Sequence, residues 1–214
     1  DPSTLKESLT SGTGFTPIGI YDDSNSNNRH YFAGEFDGQG FEIRNIYINS
    51  NQNYVGLFGY VSGAKIVNLG LTGNITSNTS GTTYAGGFVG YTGWNNPTTQ
   101  IFDCYNKANI SAKGSRAYAG GISADYYVKI SYCYNERNVE AIAGSQSSYA
   151  YGIAKAQSTD NCYNIGNITS NGVTGAYAFG INDSNSVNCY NTGNIVAQST
   201  DNKATAGVTS TASN

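Results

Sequence analysis

A four-residue segment built around a cysteine recurs along the chain and constrains its architecture. Successive cysteines are 29, 29 and 27 residues apart. The copies are Asp103-Cys104-Tyr105-Asn106, Tyr132-Cys133-Tyr134-Asn135, Asn161-Cys162-Tyr163-Asn164 and Asn188-Cys189-Tyr190-Asn191, with Asn68-Leu69-Gly70-Leu71 as a degenerate first copy. Repeats of this length are typical of solenoids and arrays, in which each copy buries its apolar residues only against its neighbours.

A second motif precedes each cysteine segment. Its copies are Tyr54-Val55-Gly56-Leu57-Phe58-Gly59, Tyr84-Ala85-Gly86-Gly87-Phe88, Tyr118-Ala119-Gly120-Gly121-Ile122, Tyr149-Ala150-Tyr151-Gly152-Ile153 and Tyr177-Ala178-Phe179-Gly180-Ile181. From each cysteine, or Leu69, to the next motif tyrosine is 14 to 16 residues, whereas 12 to 20 residues separate that tyrosine from its own cysteine. The insertions therefore fall in one half of the repeat, and the longest contains Trp94, the only tryptophan.

The segments between these landmarks are short, β-type and punctuated by Gly and Asn. Charged residues make up only 12% of the chain and Gly contributes 27 residues, a composition that favours turns and strands over helices. We therefore predict an all-β, right-handed parallel β-helix, or solenoid, of about five repeats of 27–35 residues. The handedness follows the general preference for right-handed crossovers.

Residues 1–53 are predicted to form introductory or capping coils, and residues 54–214 one continuous domain whose last repeat is truncated.

Stacked repeats turn each sequence column into a ladder. An aliphatic residue lies six positions after each cysteine, or after Leu69, and in a polar chain such a column has no other easy use than the core. The column contains Ile75, Ile110, Val139, Ile168 and Ile195. The asparagine column, Asn106, Asn135, Asn164 and Asn191, is predicted to form a side-chain hydrogen-bonded ladder at left-handed corners. Gly166 and Gly193 are predicted to supply positive φ at the next corner.

The cysteine column admits several interpretations. Four cysteines in an extracellular chain can form two disulfides, but side chains in register on parallel strands point the same way, which strains that geometry. We favour buried free thiols at Cys104, Cys133, Cys162 and Cys189, which behave as small hydrophobes. A zinc site is disfavoured, because no CxxC spacing is present and His30 is the only histidine.

The aromatic residues are the candidates for ligand binding. The tyrosine columns either form half-buried packing ladders or expose a stripe that binds sugar rings or partner side chains. Trp94 either binds a ligand from its loop or covers an apolar patch on that loop. The candidate ligand-binding residues are Trp94, Tyr91, Tyr105, Tyr134, Tyr163 and Tyr190.

Several motifs together resemble the GLUG repeat family. Residues 54–59 carry its Gly-Leu-hydrophobic-Gly signature, and the recurring Asn-Cys-Tyr-Asn-x-Gly-x-Ile resembles the second half of its repeat. Upstream, residues 15–19, 32–40 and 43–46 resemble the segment that introduces such repeats. Tyr151 and Phe179 depart from the pattern by replacing the first glycine of a pair. The resemblance implies a non-catalytic module of bacterial secreted or surface-anchored proteins, sometimes found beside peptidase domains that cleave host immunoglobulin.

The net charge and the positions of the acidic residues exclude several classes of function. With a net charge of −3 and no basic run, nucleic acid is a poor partner, and no apolar run is long enough for membrane insertion. The acids are scattered, so that catalytic residues and cofactors are not expected; they include Asp37, Asp103, Asp125, Glu136, Asp160 and Asp183. Calcium binding at Asp22-Asp23-Ser24-Asn25 lacks an ordered ligand spacing.

These observations predict a stalk, an adhesin-type binding surface for glycan or host protein, or both, on the outside of a bacterium. Its other partners would be the neighbouring domains of a parent chain. The alternative is a carbohydrate-active β-helix enzyme, either a polysaccharide lyase or a glycoside hydrolase.

Overall fold

The chain folds as an all-β parallel solenoid of about six turns. The computed structural model describes residues 12–93 and 97–209, and within these ranges there are 23 strands and one 3₁₀ turn, η1 (Ser26–Asn28). The predicted fold class is thereby confirmed, with one turn more than the repeats read from the sequence because the N-terminal segment adds the first turn. The right-handed winding stays a prediction. No helix in the described ranges is long and apolar enough to cross a membrane.

Three parallel sheets run along the solenoid, and each turn contributes a strand to every sheet. The first sheet contains β1 (Glu35–Asp37), β5 (Lys65–Val67), β9 (Thr99–Phe102), β12 (Val128–Ser131), β16 (Ser158–Asp160) and β20 (Asn185–Val187). The second contains β2 (Glu42–Ser50), β6 (Gly70–Asn78), β10 (Tyr105–Gly114), β13 (Tyr134–Asn135), β14 (Val139–Ala143), β17 (Tyr163–Asn164), β18 (Ile168–Gly172), β21 (Tyr190–Asn191) and β22 (Ile195–Ser199).

The third sheet completes each turn. It contains β3 (Tyr54–Val55), β7 (Thr82–Gly86), β11 (Arg116–Gly120), β15 (Ser147–Tyr151), β19 (Gly175–Asn182) and β23 (Ala204–Thr209). A short additional pair, β4 (Phe58–Tyr60) with β8 (Val89–Tyr91), lies at the corner where the chain returns to the first sheet. Single bridges from Val89 to Ser123 and from Ser123 to Ala154 continue this pair into the next turns.

The aliphatic column lies at the centre of the core. Its residues pair in register from one turn to the next, in the order Ile75, Ile110, Val139, Ile168 and Ile195. The first four are at most 1% exposed, whereas Ile195 in the last turn is partly buried. Burying one such side chain stabilises the fold by about 2 kcal/mol. The core prediction for this column is confirmed.

A left-handed residue turns the chain between the first and second sheets. φ lies between 51° and 54° at Asn68, Asp103, Tyr132, Asn161 and Asn188, each immediately before the cysteine or Leu69. At every cysteine the Sγ donates to the carbonyl oxygen two residues earlier, at 3.1–3.3 Å. The left-handed residue breaks the side-chain alternation of a regular strand. The thiol adds a second hydrogen bond to a carbonyl that already accepts one from a backbone N–H of the preceding turn.

All four cysteines are free thiols. Cys104, Cys133 and Cys162 are each 1% exposed, and Cys189 in the last turn is partly buried. Burial raises the pKa of the Cys133 thiol well above its ordinary value, so this side chain packs as a neutral group.

The asparagine column forms a continuous buried ladder. The Nδ2 atoms of Asn106, Asn135 and Asn164 each donate to the Oδ1 atom of the next member, at 2.6–2.8 Å, and the ladder ends at Asn191. Each Nδ2 also donates to the backbone carbonyl two residues later, at 2.7–2.8 Å. These bonds satisfy carboxamide groups that would otherwise be buried at high cost.

The predicted backbone of this ladder was wrong. None of the four asparagines has positive φ, since the left-handed bend is made by the residue before the cysteine. Gly166 and Gly193 also lack positive φ. A Cβ on Gly166 would lie 2.0 Å from the carbonyl oxygen of Arg137, so glycine is needed there for close packing of turns.

A column of glycines packs against the asparagine ladder. A Cβ on Gly152 would lie 1.9 Å from the carbonyl oxygen of Gly180 and 2.6 Å from Cγ of Asn164. Gly87, Gly121 and Gly180 face the ladder in the same way. In the first pair of turns Leu57 takes the glycine position and Leu71 the asparagine position, and both are buried. The later turns thus have an asparagine packed on a glycine where the first pair of turns has two leucines.

The two ends of the solenoid differ. Residues 14–33 lie along the first turn, through bridges from Gly14 to Ile48, Ile18 to Phe58 and Phe32 to Val61. Within the part of the chain that the structure describes, β22 in the last turn pairs only with β18 and is alternately half-buried and exposed. The division at residues 53 and 54 stays a prediction; the first turn, β1 to β4, runs through it without a break.

Candidate functional site

A cleft of about 200 Å³ opens at the corner between the third and first sheets. Three successive turns build it: one supplies β7 and β8, the next supplies the loop between β11 and β12, and the third supplies the loop between β15 and β16. We call it the tyrosine cleft, and it is lined by Tyr84, Tyr91, Gly93, Asp125, Tyr126, Tyr127 and Lys155.

Two charged side chains meet the aromatic walls of the cleft. Asp125 is 7% exposed, and its Oδ2 accepts hydrogen bonds from the backbone N–H of Thr92 at 2.9 Å and from the Thr92 hydroxyl at 2.7 Å. The Lys155 Nζ lies 4.8 Å from the ring centroid of Tyr118, within cation–π distance. Tyr126 is 39% exposed at the rim. The cleft can therefore hydrogen-bond hydroxyl groups and pack against an apolar face of one ligand.

The back of the cleft belongs to a ladder of stacked tyrosines in the third sheet. Neighbouring rings lie 4.5–5.3 Å apart between centroids, with interplanar angles of 7–26°. We call this the third-sheet tyrosine ladder, and its members are Tyr54, Tyr84, Tyr118, Tyr149 and Tyr177. Tyr91 packs on Tyr54 at a centroid distance of 4.3 Å and is only 5% exposed. Tyr91 thus contributes packing as well as an edge of the cleft.

Burial makes the hydroxyl groups of the tyrosines around the cleft weaker acids than a free tyrosine. It is the largest cause that raises the pKa of Tyr54, Tyr84 and Tyr91 well above the ordinary value of 10.0. The negative charge of Asp23 adds to the effect at Tyr54, and that of Asp125 adds to it at Tyr91. Tyr151, fully buried and bonded through its hydroxyl to Asp183 Oδ2 at 2.9 Å, has its pKa raised for the same reasons.

We expect this chain to lose stability in alkali. A phenol whose pKa is raised by folding stabilises the folded state below the unfolded pKa of about 10, and this contribution is lost as the pH rises towards the folded pKa. The thermal unfolding midpoint should therefore hold to about pH 9 and fall by about 5 °C or more by pH 11. Circular dichroism melts across this range, with phenolate absorbance followed in parallel, would check it. A midpoint that stays level through pH 11 would contradict the assignment of buried phenols.

The other candidate tyrosines form a second ladder. Tyr105, Tyr134, Tyr163 and Tyr190 stack at centroid distances of 4.7–5.3 Å and interplanar angles of 5–8°. The Tyr105 ring lies over Gly70, and its hydroxyl donates to Glu42 Oε2 at 2.9 Å. We call this the second-sheet tyrosine ladder. Because neighbouring rings cover one another's faces, it presents ring edges and hydroxyls to solvent. This favours a role in packing over a role in stacking on a sugar ring. Tyr190 in the last turn is 54% exposed, and among the described residues its ring stacks on Tyr163 alone.

A polar cavity of about 370 Å³ lies beside the N-terminal segment. Within it, Asp22 accepts bonds from the backbone and hydroxyl of Ser24, the backbone of Asn25 and the side chain of Asn28, and these bonds lower its pKa to about 2. Asp23 accepts from the hydroxyl of Tyr54 at 3.0 Å. In the loop considered for calcium, Asp22 thus holds its own turn and Asp23 holds the loop against Tyr54. In residues 12–93 and 97–209 no group of three or more His, Cys, Asp or Glu side chains is placed to hold a metal ion.

The structure brings together some predicted residues and adds others. Tyr91 lines the tyrosine cleft, whereas the second-sheet tyrosine ladder lies elsewhere on the solenoid. Trp94 follows Gly93 in sequence but lies outside the described residues, so its role stays a prediction. Sequence reasoning missed Asp125, Tyr126, Tyr127 and Lys155 as a site, because they fall in corner loops that align poorly between repeats. The one available signal was the pair Tyr126-Tyr127 within an otherwise small-residue loop.

The three parallel sheets and the side-chain ladders inside them define a class of protein, the parallel β-solenoid. No family model matches the sequence, and no curated protein matches it. The GLUG resemblance therefore rests on the motifs alone. A crystal structure described as that of a putative immunoglobulin A1 protease from Bacteroides ovatus is similar, with a TM-score of 0.55 and 19% sequence identity. The match covers 85% of this chain and 67% of that one. At this identity the likeness shows a shared β-solenoid fold.

Proposed function

We propose that this chain is a non-catalytic repeat module of a secreted or cell-surface bacterial protein, in which the solenoid is a spacer and the tyrosine cleft binds one sugar unit of a glycan. The observation that carries the proposal is the cleft, where aromatic walls, a carboxylate and an ammonium group meet at a solvent-open corner. The solenoid likeness to the Bacteroides ovatus protein supports an extracellular setting, because immunoglobulin is an extracellular substrate.

The spacer role follows from how the turns are joined. Six turns at roughly 4.8 Å each give a rod on the order of 30 Å. The asparagine ladder crosses four consecutive turns and the third-sheet tyrosine ladder crosses five, so neighbouring turns are held by side chains as well as by backbone hydrogen bonds. Such a rod can hold a neighbouring domain at a set distance.

The ligand class follows from the size and chemistry of the cleft. Its volume of about 200 Å³ is below the roughly 300–1,000 Å³ of pockets for drug-sized ligands, so it suits a single ring. A pyranose ring has one apolar face, which can pack on Tyr126, and equatorial hydroxyls, which can bond to Asp125 and Lys155. A ligand made only of apolar groups would offer neither charge a hydrogen bond.

A glycan array with matched variants would test this proposal. We expect binding by the wild-type chain and at least about a tenfold loss of affinity, about 1.4 kcal/mol, in Tyr126→Ala and Lys155→Ala. Two controls remove the same residue types from other exposed positions: Tyr190→Ala at the end of the second-sheet tyrosine ladder and Lys129→Ala on the first sheet. Both controls should bind as the wild type does.

Each contrary result points to a different error. Equal binding by Tyr126→Ala and the wild type would place the glycan site elsewhere, and lost binding in Tyr190→Ala would move it to the second-sheet tyrosine ladder. If no glycan binds at all, the binding half of the proposal fails and the spacer role stands alone.

One observation favours a second candidate, a carbohydrate-active enzyme of the lyase type. Asp125 and Lys155 line the same cleft, and β-elimination needs a cationic or basic group near the sugar as well as acid–base groups. Hydrolysis would need a second carboxylate, and Asp125 is the only acid among the described lining residues. Mass spectrometry of the glycans after incubation separates the two candidates, because shortened glycans with an unsaturated end would show a lyase.

A further inference from the structure

The four thiols form a ladder of their own. The residues after the cysteines pair in register from turn to turn, and each of their backbone N–H groups donates to the carbonyl of the cysteine, or of Leu69, one turn earlier. The thiols of Cys104, Cys133 and Cys162 also share one orientation, since each lies 3.7–3.8 Å from a carbonyl oxygen of the preceding turn. Neighbouring sulfur atoms are therefore stacked along the solenoid axis, one to a turn.

This stacking sets the distance between sulfurs and decides what can bridge them. Neighbouring strands lie roughly 4.7–4.9 Å apart. A disulfide needs sulfurs about 2.05 Å apart and Cβ atoms roughly 3.5–4.5 Å apart, with side chains that turn towards each other. Two metal–thiolate bonds of roughly 2.3 Å in line span about 4.6 Å. The strand spacing itself is within the Cα range of disulfides, but side chains in register point the same way, so that a disulfide would be strained. The same spacing fits a metal ion held between two sulfurs.

The geometry points to a two-coordinate site for a soft monovalent metal ion, Cu(I) or Ag(I), between the sulfurs of Cys162 and Cys189. Soft thiolate ligands select such ions, which accept two ligands in line. Zinc needs four ligands, and the described residues hold no group of three or more metal-binding side chains. Binding breaks two S–H bonds, forms two S–metal bonds, releases two protons to solvent and leaves the metal in its +1 state.

The last pair of the ladder is the pair that solvent can reach. Cys104, Cys133 and Cys162 are each 1% exposed, but Cys189 is only partly buried. The backbone N–H of Cys162 lies 3.4 Å from the Sγ of Cys189 and donates to it, which favours negative charge on that sulfur. The metal can therefore enter beside Cys189, and the anionic bridge retains the N–H of Cys162 as a hydrogen-bond donor.

Competition for Cu(I) by the full chain under anaerobic, reducing conditions would test the site. We expect the wild-type chain to withdraw one equivalent of Cu(I) from a chromophoric Cu(I) chelator, and X-ray absorption to show two sulfur neighbours in line. Cys189→Ser and Cys162→Ser should lose this equivalent. Cys104→Ser removes a thiol from the far end of the ladder and should retain it.

A thermal melt shows whether loss of Cu(I) binding in a variant comes from a folding defect. Cys189→Ser changes a half-buried side chain, and its circular dichroism melt should stay close to that of the wild type. Retention of Cu(I) by Cys189→Ser, no withdrawal by the wild type, or three or more ligands in the absorption spectrum would each overturn the proposal. Rapid formation of a Cys162–Cys189 disulfide with a mild thiol-oxidising diazene would overturn the spacing on which it rests.

Discussion

Replacing Gly152 by alanine should destabilise the solenoid by about 3 kcal/mol or more, because the new methyl group has no space between two turns. Its Cβ would lie 1.9 Å from the carbonyl oxygen of Gly180 and 2.6 Å from Cγ of Asn164. The first of these atoms belongs to the backbone of the next turn and the second to the buried asparagine ladder. Neither can move without breaking hydrogen bonds between turns.

Gly144→Ala is the matched control for this prediction. Gly144 lies in the same turn as Gly152, has no positive φ, and a Cβ there would meet its nearest neighbour, the carbonyl oxygen of Gly114, at 3.7 Å. Alanine should therefore change the free energy of unfolding by less than about 1 kcal/mol, and reduced freedom of the unfolded chain can make the change favourable. Urea unfolding followed by circular dichroism measures both variants. Similar midpoints for the two would show that the turns are packed less closely than described.

Asn135→Ala should be the second most damaging single change, at about 3 kcal/mol. Asn135 is fully buried, accepts from Asn106 Nδ2 at 2.8 Å, and donates to Asn164 Oδ1 at 2.7 Å. Its removal leaves a donor on one neighbour, an acceptor on the other and the carbonyl of Arg137 without partners, in a core that water does not reach. A cavity of side-chain size adds to the cost.

Asn109→Ala provides the comparison. Asn109 is exposed on β10, and its Nδ2 donates to Asn74 Oδ1 at 3.0 Å, so it also belongs to an asparagine pair between turns. Water can replace that bond, and the expected change is below about 0.5 kcal/mol. If Asn135→Ala proves as mild as Asn109→Ala in urea unfolding, the buried ladder contributes to the choice of register rather than to stability.

The repeat made most of the fold predictable. Once the cysteine segments are aligned, parallel stacking places equivalent residues in ladders, and the aliphatic column through Ile110 and Val139 had to be buried. The asparagine ladder was inferable for the same reason, because identical carboxamides one turn apart can bond to each other. Its backbone was not, since the left-handed residue before the cysteine includes Tyr132 as well as Asn and Asp, and tyrosine gives no signal for that conformation.

The tyrosine cleft could not be predicted in this way. Tyr84, Asp125 and Lys155 come from three different turns. Tyr84 lies on β7, whereas Asp125 and Lys155 lie in corner loops that differ in length. An alignment of repeats has no register inside such loops, so that which side chains meet depends on how each loop folds back on the corner.

The amino-acid sequence alone therefore determined the solenoid, its repeat length and the residues of its internal ladders, because a periodic chain can bury its apolar positions only by stacking equivalent residues. The tertiary structure decided which side chains beside the ladders are accessible to solvent. It brought the cleft residues together at one corner and left the last thiol of the cysteine column partly accessible. The cleft depends on the irregular loops of the chain, where side-chain packing, and not periodicity, sets the positions.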